Sequence, residues 1–304
     1  MSTGREIPGV ENLKEHIFNT RTVAINFAEG PPTGPPLVLL HGGGDRWQYF
    51  LPLIPHLVAK WHLYAVDLRG HGKSGRVPGK YRPEHYVSDI VEFLDRQFTE
   101  DVILFGHSLG GWIALMTAAE PKGKVKVLIL GDPPLCMERF LEIEGSEERM
   151  SLWRTLRDLA SSGLSVPDLA SELADLPVSL LGHNTTVRYG DLPGVDNAHL
   201  LAWAETLSRV DPDVAQYHAE GRMYEYVQQV DLDAAMKHVT CPVLLLQADP
   251  VHGGVVTDDD VKHALSLLSD GVHEQLEGAS HDLGMDSRTV GPLQSTVTNY
   301  LESL

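Results

Sequence analysis

Val102-Ile103-Leu104-Phe105-Gly106-His107-Ser108-Leu109-Gly110-Gly111-Trp112-Ile113-Ala114-Leu115-Met116 is the stretch on which the fold turns. Four unbroken apolar residues read as a strand buried on both faces, because a half-exposed strand would alternate. A glycine-framed turn follows at once, and then an apolar helix that ends before Pro121. A strand-to-helix turn this sharp holds its central residue, Ser108, in a strained backbone conformation. Glycines two positions before and after it let the neighbouring backbones pass without a Cβ clash. The Ser108 hydroxyl is then expected above the sheet edge, over a helix N-terminus that favours negative charge.

The same grammar extends in both directions. Leu37-Val38-Leu39-Leu40 leads into His41-Gly42-Gly43-Gly44, and Leu63-Tyr64-Ala65-Val66 into Asp67-Leu68-Arg69-Gly70-His71-Gly72. Val127-Leu128-Ile129-Leu130 leads into Gly131-Asp132-Pro133-Pro134. Upstream, residues 13–28 alternate and read as an antiparallel pair of strands turning near Asn19-Thr20-Arg21, before the proline-rich loop 31–36. Repeated strand and helix imply an α/β class, with a mostly parallel, doubly wound sheet that binds ligands at the carboxyl ends of its strands.

From Pro133 to about Thr240 the rhythm stops. Leu152, Leu156 and Leu159 keep helical spacing, as do Leu200, Trp203, Ala204 and Leu207. Pro167, Pro177, Pro193 and Pro212 are expected at helix starts or in loops. The sheet resumes at Val243-Leu244-Leu245-Leu246, with a helix from about Asp258 to Leu268, a short strand near Val272–Leu276 and a last helix from about Ser287 to Leu301. The expected organisation is a core of residues 1–132 and 241–304, with an all-helical cap, 133–240, inserted between the sixth and seventh core strands.

The 304 residues carry 24 Lys+Arg against 42 Asp+Glu, a net charge of −18. So acidic a chain repels nucleic acid and anionic membrane surfaces, leaving a small molecule as the expected partner. No apolar run approaches the roughly 20 residues of a membrane-spanning helix. The start, Met1-Ser2-Thr3-Gly4-Arg5-Glu6-Ile7-Pro8, has no apolar segment behind a basic head, so a cytoplasmic location is expected. Asn184-Thr185-Thr186 is then a chance match to a glycosylation acceptor. The two cysteines, Cys136 and Cys241, allow one bridge at most, and no metal-ligand spacing occurs. Gly70-His71-Gly72-Lys73-Ser74-Gly75 satisfies a dinucleotide-binding pattern, but Arg76-Val77-Pro78-Gly79 breaks the helix that such a site needs.

Taken in order, the His41-Gly42-Gly43-Gly44 loop, the Asp67–Ser74 turn, the elbow at Ser108 and Gly278-Ala279-Ser280-His281 resemble the α/β-hydrolase superfamily over nearly the whole chain. Serine at the elbow is similar to its esterase, lactonase and C–C hydrolase branches; the dehalogenase and epoxide-hydrolase branches carry aspartate there. The resemblance implies His281 as the base that activates Ser108. It implies an oxyanion hole formed by the amides of Leu109 and Gly43. For the acid it offers two positions. The usual one, nine residues after a proline such as Pro242, is Val251 here, with Asp249 two residues early. The other, after the strand before the cap, is Asp132, stiffened by two prolines and favoured here over Asp249.

The expected chemistry is cofactor-free cleavage of a carboxylic ester or lactone through an acyl-enzyme, failing in acid as the base takes up a proton. A C–C bond hydrolase acting on a diketone and a ligand-binding receptor on the same scaffold are the alternatives. The cap aromatics Trp153, Trp203, Tyr217 and Tyr224, with Trp47 beside the glycine loop, are candidates to line the pocket, foremost Trp47, Trp153 and Trp203.

Overall fold

The computed structural model describes residues 12–179, 186–285 and 290–304. Eight strands form one sheet: β1 (Lys14–Asn19), β2 (Ala24–Glu29), β3 (Pro36–Leu40), β4 (His62–Val66), β5 (Val102–His107), β6 (Val125–Gly131), β9 (Val243–Ala248) and β10 (Gly271–Leu276). Two short strands, β7 (Pro177–Ser179) and β8 (Thr186–Arg188), pair with each other outside it. The sheet order is β1-β2-β4-β3-β5-β6-β9-β10. Only β2 runs against its neighbours; β4, β3, β5, β6, β9 and β10 are parallel.

The continuous apolar runs produce this layering because successive residues on a strand face opposite sides. Val38, Leu40, Leu104, Leu128, Leu130 and Leu245 enter one core, with Phe93, Trp112 and Met236 from covering helices. Leu37, Leu39, Phe105, Ile129, Leu244 and Leu246 enter the other, with Ile54 and Leu293 from helices on the second face. Fully burying side chains of this size contributes roughly 1.5–3 kcal/mol each, so both faces must be covered. The helix Asp258–Leu267 and the closing helix Gly291–Glu302 lie close to their expected spans; Ser287 is outside the described residues.

Between β6 and β9 the chain forms helices at Met137–Glu144, Glu147–Ser161, Val166–Ala174, Asn197–Leu207 and Leu232–His238, with shorter turns between them. Leu169, Leu173, Ala204 and Leu207 make a small core of their own, against which Leu152, Leu156, Leu159 and Trp203 pack. The expectation of an all-helical segment is corrected by the β7–β8 pair. Its strands are three residues each, too short for alternation to be read, and Pro177 opens β7 rather than a helix. Pro167 and Pro212 do stand in the first turns of helices. Both cysteines are free. Asn184 and Thr185 of the acceptor match, and the first eleven residues, lie outside the described residues.

The Gly70–Gly75 turn wraps Asp67. The Asp67 carboxylate accepts from the amides of Trp47 (2.7 Å) and Lys73 (2.9 Å) and from Asn26 Nδ2 (2.8 Å). Gly72 has φ +56°, and a Cβ there would run into that carboxylate. Arg69, from the same turn, forms a buried ion pair with Asp89 (2.6 Å).

Candidate active site

Three strand ends and one loop supply the site. β5 delivers Ser108 at φ +52°, ψ −119°, and the helix Leu109–Ala119 starts at the next residue. A Cβ on Gly106 would collide with the Gly110 carbonyl, and one on Gly110 with the Leu40 carbonyl. Each glycine is thus demanded by backbone passing directly overhead. The Ser108 amide donates to the Gly131 carbonyl (2.9 Å), tying the elbow to the end of β6.

One residue on, Asp132 is fully buried and also left-handed, at φ +44°. Its Oδ1 accepts from the amides of Ala248 and Val256 (3.2 Å each). Its Oδ2 accepts from the amide of Val255 (2.9 Å) and from His281 Nδ1 (2.7 Å). Since a carboxylate held by three amides can only accept, the imidazole carries its proton on Nδ1. His281 Nε2 is left bare and lies 3.0 Å from Ser108 Oγ, positioned to take the hydroxyl proton. The structure therefore brings Ser108, His281 and Asp132 into one hydrogen-bonded line.

Asp249 lies outside that line. Its carboxylate accepts from the amides of Gly278 (3.0 Å) and Val251 (2.9 Å) and faces His252 Nδ1 (2.9 Å). Those partners, the Gly278 amide foremost, hold its carboxyl below the usual range. Its part is to brace the loop after β9, which corrects its candidacy as the acid. Trp47 is corrected too. The 3-10 turn Trp47–Phe50 carries its ring into the core on the second face of the sheet, where Nε1 donates to Glu15 (3.0 Å). Sequence adjacency to the glycine loop concealed that change of direction. Tyr224 is exposed, and the Tyr217 ring carries the Arg222 guanidinium on its face (5.1 Å).

Trp153 and Trp203 do line a cavity of about 740 Å³ that also reaches Gly43, Ser108, Leu109 and His281. Phe140, Ile143, Leu207 and Tyr226 make much of the rest of its wall apolar. A polar cluster around Glu144 stands in that wall. Burial alone would raise the Glu144 carboxyl, but His218 Nδ1 (2.8 Å), Arg149 Nε (2.9 Å) and Trp153 Nε1 (2.8 Å) bring it down to about 2.

Three histidines hold the surrounding loops. His41 Nδ1–H donates to the Gly42 carbonyl (2.7 Å), while its Nε2 accepts from the Leu68 amide (3.0 Å). His71 Nδ1–H donates to the Arg69 carbonyl (2.8 Å) and its Nε2 accepts from the Gly44 amide (3.1 Å). The Gly44 amide is thereby committed, and Gly43 stands beside Leu109 at the cavity floor. His107 Nε2–H donates to the His281 carbonyl (2.7 Å), and Tyr49, stacked on His107 at 4.8 Å, donates to the Asp282 carbonyl (2.8 Å). Burial drives the three imidazoles down, His41 to about 4 and His71 and His107 to about 3, so all are neutral at pH 7. Sequence reading missed His107 and Tyr49, which fix the loop carrying His281; the middle position of Gly106-His107-Ser108 was their one visible trace.

Comparison with known proteins agrees with this architecture. The model of the alpha/beta hydrolase family matches residues 37–290, and the chain belongs to that family. It is 35% identical over 138 residues to a 2-heptyl-3-hydroxy-4-quinolone dioxygenase of Rhodococcus erythropolis, covering 43% of this chain and 50% of that protein. It is 38% identical over 104 residues to epoxide hydrolase B of Mycobacterium tuberculosis, covering 32% and 29%. To the human serine hydrolase-like protein 2 it is 31% identical over 201 residues, covering 59% and 62%. The chain thus spans at most about two thirds of the length of these curated relatives. Among solved structures, an N-formylmaleamic acid deformylase of Pseudomonas putida S16 superposes with a TM-score of 0.70 at 20% identity, over 94% of this chain and all of that one. An enol-lactonase of Burkholderia xenovorans LB400 gives 0.67 at 16%, over 94% and 100%. At such identities the likeness is one of fold. Among the described residues there is no cluster of three or more metal-ligating side chains, and no helix long and apolar enough to cross a membrane.

Proposed function

We propose that this chain is a serine hydrolase of carboxylic esters or lactones, with Ser108 as nucleophile, His281 as base and Asp132 as the acid that orients it. The observation that carries the reading is the Ser108 Oγ–His281 Nε2 separation of 3.0 Å, on an imidazole whose Nδ1 is held 2.7 Å from a buried carboxylate. A serine hydroxyl is a weak nucleophile until a positioned base removes its proton in the transition state. As Ser108 attacks the carbonyl carbon, His281 Nε2 takes that proton and the carbonyl oxygen gains negative charge. The amides of Leu109 and Gly43 receive the charge, helped by the N-terminus of the helix Leu109–Ala119. The imidazolium, steadied by Asp132, then protonates the leaving alcohol. Water repeats the cycle on the acyl-enzyme and releases the acid.

Residues 133–240 act in this reading as the cap, with Trp153 and Trp203 shaping the acyl or alcohol pocket. A panel of chromogenic esters of graded acyl length, with several lactones, tests the assignment, together with labelling of Ser108 by a fluorophosphonate. Multiple turnover that vanishes in Ser108→Ala supports it. Oxygen uptake on a 2-alkyl-3-hydroxy-4-quinolone without ester turnover would reassign the site to the chemistry named for the Rhodococcus relative. Turnover confined to a vinylogous diketone would reassign it to C–C cleavage, and labelling with no turnover to a receptor.

A further inference from the structure

The cavity floor contains a second carboxyl that this reaction sequence leaves idle. Asp45 closes the His41–Gly44 loop, its amide donating to the Gly42 carbonyl (3.3 Å), and its side chain lines the same cavity as Ser108 and His281. A Cβ placed on Gly42 would lie 3.2 Å from His107 Nδ1, 3.3 Å from Ser108 Cβ and 3.5 Å from Asp45 Oδ2. The carboxyl and the nucleophile therefore meet across a single glycine.

Among the described residues, no cation pairs with the Asp45 side chain. The adjacent Arg46 turns its guanidinium to Thr206 (3.2 Å) and Glu205 (3.5 Å). The charged or titratable groups that face Asp45 are His281 and Asp282 from the loop after β10, and Arg46 and Tyr49 from its own segment, with neutral His107 behind Gly42. Burial raises the Asp45 carboxyl to about 7; Asp282 adds to the rise, while His281 and Arg46 oppose it.

An ionised Asp45 would set a negative charge beside the developing oxyanion and oppose catalysis. The uncharged acid removes that penalty and adds an O–H donor to the lining of the cavity. Asp45 is half-buried, and a bound substrate that displaces water from it must offer the donor an acceptor or leave it unsatisfied, so a substrate with an acceptor gains over one without. Resting on the hydrolase reading above, we propose that Asp45 is a specificity-determining residue. As a neutral carboxylic acid it donates a hydrogen bond to the substrate, selecting acyl groups that carry an oxygen acceptor next to the ester carbonyl.

Stability reports the protonation state without any substrate. Unfolded, the Asp45 carboxyl ionises near its ordinary 3.8; folded, near 7. Across that interval folding must take up a proton, so the native state loses stability as pH rises from about 4 to 7 and carries the full penalty above. Asp45→Asn should accordingly raise Tm by several degrees at pH 8 relative to its effect at pH 3.5.

Activity is read with phenyl methoxyacetate and phenyl butanoate, which differ by an oxygen in place of a methylene. Their intrinsic reactivities cancel when one protein is compared with another. The wild-type preference for methoxyacetate, in kcat/KM, should exceed that of Asp45→Ala by at least tenfold at pH 6 and fade above pH 7. Asp45→Asn, which keeps a donor, should retain the preference without its pH dependence, and it carries the test if the alanine variant fails to fold. Equal preference in the wild type and a folded Asp45→Ala overturns the proposal, as does a Tm difference for Asp45→Asn that stays flat between pH 4 and 8. Absence of any ester turnover, with Ser108 inert to fluorophosphonate, overturns the hydrolase reading and this inference with it.

Discussion

Replacing Asp132 by Asn removes one acceptor atom from a place where four donors converge. The three amides and His281 Nδ1 approach at 2.7–3.2 Å, two on each carboxylate oxygen. The amide group of Asn has one oxygen. Turned to serve Ala248 and Val256, it sets its NH2 against the Val255 amide and against His281. The imidazole must then accept at Nδ1 and carry its proton on Nε2, where it faces Ser108 and can no longer act as base. On that account kcat falls on the order of 10⁴-fold. One buried amide loses its acceptor, which costs about 1–3 kcal/mol in urea denaturation. Turning the Asn the other way opposes two amides instead and is worse for folding. The assay is kcat/KM on the best ester of the panel, beside the denaturation midpoint, with Asp249→Asn as control. The Asp249 carboxylate does not touch His281, so that variant should keep its rate. An Asp132→Asn variant that keeps a tenth or more of wild-type activity, beside an Asp249→Asn variant that loses a thousandfold, would make Asp249 the acid instead.

Other substitutions have equally definite outcomes. Ser108→Gly relieves a side chain held at φ +52° and should stabilise the fold by about 1–2 kcal/mol while abolishing turnover. Gly110→Ala drives a Cβ into the Leu40 carbonyl and should leave little soluble protein on expression; recovery of a folded variant with a normal melting curve would contradict that steric argument. Trp203→Ala enlarges the cavity wall and should raise KM for short esters roughly tenfold with Ser108 still open to fluorophosphonate. Trp47→Phe, lying on the far side of the sheet, should lower Tm and leave KM unchanged.

The sheet was legible because burial on both faces forces uninterrupted apolar runs, and the runs at 37–40, 102–105 and 243–246 have no other economical explanation. Ser108 was legible because Gly106 and Gly110 are required by backbone that passes overhead, a demand that leaves its mark in sequence. The choice between Asp132 and Asp249 was not settled there. It depends on which amides the loop 248–256 turns inward, a matter of three-dimensional register between β6 and β9. The environments of Asp45 and His107 were hidden for a related reason, since each meets the loop of His281 and Asp282, more than 150 residues away. Helical spacing located two of the insert's helices, Glu147–Ser161 and Asn197–Leu207, but carried no trace of the β7–β8 pair or of how Trp153 and Trp203 would face the cavity.

The chain leaves the sheet for its long insertion one residue after Asp132, and its departure is clamped. Trp112 Nε1 holds the Pro134 carbonyl at 2.6 Å, and Gly111 leaves just enough room for Pro133. Any swing of the insertion must therefore take its fulcrum beyond Pro134. In the proposed reading, a cap that swings about such a pivot would leave the contact between Asp132 and His281 undisturbed, because Asp132 lies before the clamp.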